Sequence, residues 1–126
     1  MAKLTDEQLR ARRAIRLTRA VRVLGADMVA DGWQVIGDGP DPTICWLHEP
    51  SHRVVSVESC PWHQCRGIEA IPSPPANPTA EGWVVAVRIH DDLGNPTAGT
   101  CLWTENRDRA LRLAVENRRL ILAGAA

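Results

Sequence analysis

The chain has 126 residues, 44% apolar and 24% charged, with no net charge at neutral pH. That balance excludes a disordered chain and fits one domain, residues 1–126, able to bury a core without covalent staples. The longest apolar run, residues 83–87, is far short of the ~20 residues that span a bilayer. The polar N-terminus lacks the apolar centre of a secretory signal, so a soluble, cytoplasmic protein with reduced cysteines is expected.

Lys3 is the only lysine beside fourteen arginines, and five tryptophans stand without Phe or Tyr. Such avoidance of AT-rich codons is expected of a GC-rich bacterial or phage genome, so arginine is not by itself a sign of phosphate binding. The charge is uneven. Residues 1–31 and 105–126 together carry twelve basic and seven acidic groups, a balance of +5, and residues 32–104 carry three basic and eight acidic, a balance of −5.

Thr5-Asp6-Glu7-Gln8 is a capping-box pattern. Beyond it Ala14, Leu17, Val21, Leu24 and Met28 recur at spacings of three and four, predicting a helix from Asp6 to about Ala30 that buries this stripe. Arg12, Arg13, Arg16 and Arg19 fall on the other side. Short β-type runs follow at Trp33–Ile36, Thr43–Leu47 and Arg53–Ser59, the first two separated by the Gly- and Pro-rich turn 37–42. Residues 71–80 read as a stiff Pro-rich connector. Gly82–His90 and Thr97–Trp103 form a second hairpin, and Thr104 or Asn106 caps a last helix to about Leu122, whose apolar stripe Arg118 interrupts. The order α-β-β-β-linker-β-β-α predicts an α+β fold, an antiparallel sheet of about five strands with both helices on one face. Asp31-Gly32-Trp33 followed by Trp46 is echoed by Glu81-Gly82-Trp83 followed by Trp103.

Cys45, His48, His52, Cys60, His63 and Cys65 crowd one short stretch. Cys45-x2-His48 and Cys60-x2-His63 are knuckle-like pairs, and a two-residue gap lets a tight turn present two ligands to tetrahedral zinc. A structural zinc held by Cys45, His48, Cys60 and His63, with Cys65 as the next candidate, is therefore one expectation. Cys45 as a core thiol and the histidines as solvated residues is the other. Cys60-Pro61-Trp62-His63 resembles the second ligand box of Rieske iron–sulfur proteins, in which Cys and His hold the irons. The chain departs from that family where Gln64 replaces a Gly and Cys45-x2-His48 stands in place of C-x-H.

No phosphate loop, G-x-S-x-G or H-E-x-x-H motif is present, and a Cys and a His two residues apart make a poor nucleophile–base pair. Asp91 and Asp92 belong to a turn and have a backbone role there. The expectation is a non-catalytic binding or regulatory protein whose partner is another protein rather than a membrane. The alternative is a nucleic-acid-binding protein that uses Arg12, Arg13, Arg16 and Arg19.

Overall fold

The structure is a computed structural model, and it describes residues 3–36, 43–65 and 67–124. Thr5 Oγ1 accepts the Gln8 N–H at 3.2 Å, and the Gln8 side chain accepts the Thr5 N–H at 3.0 Å. This reciprocal cap starts helix α1, Asp6–Leu24. The single helix read from the sequence is broken at Gly25, whose φ of +89° a residue with a Cβ adopts only under strain. The chain resumes as a short helix, α2, Ala26–Ala30.

The strands are β1 Gln34–Ile36, β2 Thr43–His48, β3 Arg53–Ser59, β4 Glu69–Ala70, β5 Trp83–His90 and β6 Pro96–Thr104. They form one sheet in the order β1-β2-β3-β5-β6-β4. All neighbours are antiparallel except β4, which pairs with β6 in parallel through Glu69–Leu102 and Ala70–Trp103. The expected sheet thus gains one two-residue strand, too short to leave a period-2 pattern. The turn at residues 37–42 lies outside the described residues. At the second hairpin, Asp91 Oδ1 accepts the N–H groups of Leu93 and Asn95, each at 2.9 Å, the backbone role expected of a turn aspartate. These hydrogen bonds, that from Asn95 foremost, lower its carboxyl pKa.

Helix α3, Arg107–Leu122, is capped by Asn106, whose side chain accepts the Arg109 N–H at 3.0 Å. Thr104 supports that cap by accepting the Asn106 N–H at 3.2 Å. Residue alternation along each strand then sorts the core. Val35, Ile44, Trp46, Val55, Val57 and Val85 face the helices, where they bury Ala20 of α1 and Ala110, Ala114 and Ile121 of α3. Three of those four helical residues are alanines, which lets backbone and sheet approach closely. Arg118 does not end α3. Its guanidinium lies 5.3 Å from the Trp46 ring centroid and its Nη1 is 3.7 Å from Asp31 Oδ2, so the long side chain covers the core edge with its charge partnered.

The opposite face of the sheet carries a second cluster of Cys65, Ala70, Val84 and Trp103, covered by the segment that follows β3. That segment is pinned by Cys60 N–H to Gly82 O and Trp62 N–H to Ala80 O, each 2.9 Å. The Pro-rich connector belongs to it and makes turns only. The Gly-Trp echo has a physical counterpart. A Cβ built on Gly32 would stand 3.6 Å from the Trp46 ring, and one on Gly82 would stand 2.2 Å from that of Trp103.

Candidate functional site

The first helix departs from its expected seating. Of the stripe predicted to be buried, Ala14 is exposed, Leu17 is 55% exposed and Val21 42%, and only Leu24 and Met28 pack on the core. The buried residue of α1 is Ala20. Ala20 lies one turn after Arg16 and two turns after Arg13, so it shares their side of the helix. The helix is therefore rotated so that its Ala20 side, with Arg13 and Arg16, borders the sheet, and the apolar stripe is shifted to the margin, Leu17 beside β1 and Leu24 at the core edge. The break at Gly25 is the physical cause. It detaches Met28 from the stripe and lets α2 bring Met28 and Val29 to the core independently.

A groove of about 610 Å³ results, lined by Arg13, Arg16, Leu17, Arg19 and Ala20 of α1 and by Gln34, Val35 and Ile36 of β1. Val35 points to the helix-covered core, and its neighbours in β1 point to the other face. A groove that touches all three opens on the outer edge of the strand, because β1 ends the sheet among the described strands. Arg12, Arg13 and Arg16 are exposed and Arg19 is half-buried. Among the described residues, the ion pairs involve His52, Arg118 and Arg119, and none involves Arg12, Arg13 or Arg16. The sequence showed the arginines as a row. It did not show that Ala20 would seat that row against an edge strand, although Ala20 interrupting the arginine spacing was the available signal.

The expected metal ligands are dispersed along the sheet. Cys45 lies on β2 opposite Ser56, and burial raises its thiol pKa. His48 ends β2, its Nδ1 2.7 Å from Ser51 Oγ and its ring stacked on Trp46 with centroids 5.6 Å apart. His48 is the register partner of Arg53, and at ~3.3 Å per residue the whole of β3, roughly 20 Å, separates that end from Cys60. The Cys45-x2-His48 and Cys60-x2-His63 pairs are therefore held apart by the strand between them. No group of three or more Cys, His, Asp or Glu side chains is placed to hold a metal ion among the described residues.

Two of the candidates do meet. Pro61 leads into a 3-10 turn, Trp62–Gln64, closed by the Cys65 N–H on the Trp62 carbonyl at 2.9 Å. This turn brings Cys65 Sγ to 2.8 Å from Cys60 Sγ, and His63 stays exposed. Both sulfurs also approach the Pro61 carbonyl, at 3.6 Å from Cys60 and 3.5 Å from Cys65. Cys65 is 3% exposed and Cys60 is half-buried. Burial first, then the hydrogen bond and charge of Cys60, then the charge of Glu58, push the Cys65 thiol up to about 12. Above the pair, Trp62 and Trp103 have centroids 5.0 Å apart, and Trp103 Nε1 donates to the Cys60 carbonyl at 2.8 Å. Sequence reading paired Cys60 with His63 and missed Cys65 as its true neighbour.

The chain matches no protein-family model, no curated protein and no solved structure. No helix among the described residues is long and apolar enough to cross a membrane.

Proposed function

We propose that the chain is a non-catalytic binding protein that captures an acidic, extended segment of a partner protein in the groove between α1 and β1. The observation that carries this reading is the groove's composition, the outer edge of the last described strand on one side and Arg13 and Arg16 on the other. An added strand would gain main-chain hydrogen bonds along β1, and alternate side chains would face the helix. Carboxylates at those positions meet the arginines, whose planar forks suit bidentate contact. Apolar side chains between them point to the other face, where Ile36 of β1 is 51% exposed. The apolar lining and the strand edge favour a protein over a nucleic acid, whose phosphates would use the arginines alone.

The test titrates the protein with two probes, a peptide alternating Glu and Val and a random-sequence oligonucleotide, across a salt series. Amide chemical shifts are followed at the same time. The peptide is expected to perturb residues 34–36, and Arg13→Glu with Arg16→Glu is expected to weaken it at least tenfold while the fold stays intact. Oligonucleotide binding whose affinity falls steeply with salt, with β1 unperturbed, would overturn the reading in favour of the nucleic-acid alternative. A stabilising zinc ion in the middle of the chain is a separate proposal that rests on the Cys and His spacing. Cys60 and Cys65 are its two adjacent candidates, and zinc content with and without Cys60→Ser tests it.

A further inference from the structure

We propose that Cys60 and Cys65 form a thiol–disulfide exchange site that takes small uncharged disulfides and closes to an internal disulfide. Four free thiols are present, and only this pair is in sulfur-to-sulfur contact. The separation of 2.8 Å is roughly 0.8 Å longer than the ~2.05 Å bond it would become. The two side chains already point at each other across a single turn, so closure requires no rearrangement of the sheet. The turn itself is fixed at both ends, by Cys60 N–H on Gly82 O and by Ile68 N–H on Cys65 O at 3.3 Å.

The roles follow from access. Cys60 is the more exposed sulfur, and it accepts the hydrogen bond that Cys65 donates. The Cys60 thiolate attacks one sulfur of the small disulfide, which breaks the S–S bond and releases one small thiolate. The product is a mixed disulfide at Cys60. The mixed disulfide removes the Cys60 charge that helps to hold the Cys65 proton. Cys65 passes that proton to the released thiolate as its sulfur attacks Cys60 Sγ. The second small thiolate leaves and takes up the proton that Cys60 gave to water. In balance, two protein thiols and one disulfide give one protein disulfide and two small thiols. Glu58 stands two residues before Cys60 and opposite Val84, which packs in one cluster with Cys65, so its carboxylate lies on the face that carries the dithiol. That carboxylate repels anionic disulfides, which is why the substrate is taken to be uncharged.

The pair also has a built-in reporter. Trp103 is fully buried and bonds to the Cys60 carbonyl, and Trp62 lies within the closed turn. Closure should therefore alter tryptophan emission.

The test incubates the full chain with 2-hydroxyethyl disulfide, then alkylates under denaturing conditions and maps the peptides. The expected result is two blocked thiols, Cys60 and Cys65, joined to each other, with Cys45 and Cys101 alkylated. Emission should change in step with the blocking and return on reduction. Cys65→Ser should stop at one hydroxyethyl adduct on Cys60, and Cys60→Ser should show neither adduct nor emission change. Should either variant fail to fold, the wild-type peptide map decides alone. Four alkylated thiols, a bridge through Cys45 or Cys101, or an adduct that persists on wild-type Cys60 would each overturn the proposal. So would protection of the thiols that a chelator lifts with release of zinc.

Discussion

Leu17 and Leu24 belong to one stripe in the sequence, and the structure separates them, so replacing each by alanine measures how α1 is seated. Enclosed leucines truncated to alanine cost about 2–5 kcal/mol, the transfer of the side chain plus the cavity left behind. Leu17 is 55% exposed, so less than half of the ~2 kcal/mol transfer is at stake. It lines an open groove, so its truncation leaves no closed cavity, and alanine's higher helix propensity returns a few tenths. The expected loss for Leu17→Ala is about 0.5 kcal/mol. Leu24 packs against the main core, and Leu24→Ala should cost about 2 kcal/mol or more. Urea titration followed by tryptophan emission is the assay, since all five Trp lie outside α1 and report the sheet and its coverings. Equal losses above 2 kcal/mol would refute the argument, because they would mean that the apolar stripe is the buried side of α1. The arginine-lined groove could not then exist.

Gly82→Ala places a Cβ 2.2 Å from Trp103 Cζ2 and 2.4 Å from its Cε2, against a ring with no room to yield. It should destabilise by about 1–3 kcal/mol in urea titration. The same change should cost less on a Trp103→Phe background, where those ring atoms are missing, and equal losses on both backgrounds would refute the contact. A second expectation concerns alkaline pH. The Cys65 thiol is held protonated up to about 12 when folded, by burial above all, against an ordinary value of 9.0. Above 9 the unfolded chain releases a proton that the native chain keeps, so the stability present in full below 9 is lost as pH rises toward 12. With no Tyr and one Lys in the chain, Cys65→Ala should visibly flatten that limb of the urea midpoint against pH, and an unchanged slope would contradict the assignment.

The elements that local chemistry specifies were legible in the sequence. Thr5 and Gln8 fixed the helix start, the run Arg53–Ser59 formed its strand, and Asp91 to Asn95 made the turn their types imply. What escaped was tertiary. A stripe of Ala14, Leu17, Val21, Leu24 and Met28 has the right period, but periodicity does not reveal whether a helix continues through Gly25. Once it stops there, the stripe loses its last member and the helix is free to turn. Glu69–Ala70 is paired by virtue of where the connector runs, not by any propensity of its own. At the cysteines the spacing of two suggested Cys60 with His63. The 3-10 turn after Pro61 instead returns the chain at Cys65, a geometry set by backbone hydrogen bonds that residue spacing does not encode.

The charge asymmetry gains its meaning from this rotation. Had the arginines faced away from the sheet, they would be scattered cations in water, worth little to any partner. The described contacts use Arg118 against Asp31 and Arg119 against Glu116, leaving Arg13 and Arg16 against a strand edge. Glu58 stands beside the thiol pair on the face away from the helices. The sheet thus separates a basic groove at its β1 edge from an acid-flanked dithiol on its covered face. Cys60 follows β3, two strand spacings of ~4.8 Å in from β1. A partner segment seated on β1 need not approach the cysteines, so oxidation of Cys60 and Cys65 and occupancy of the groove are physically separable events.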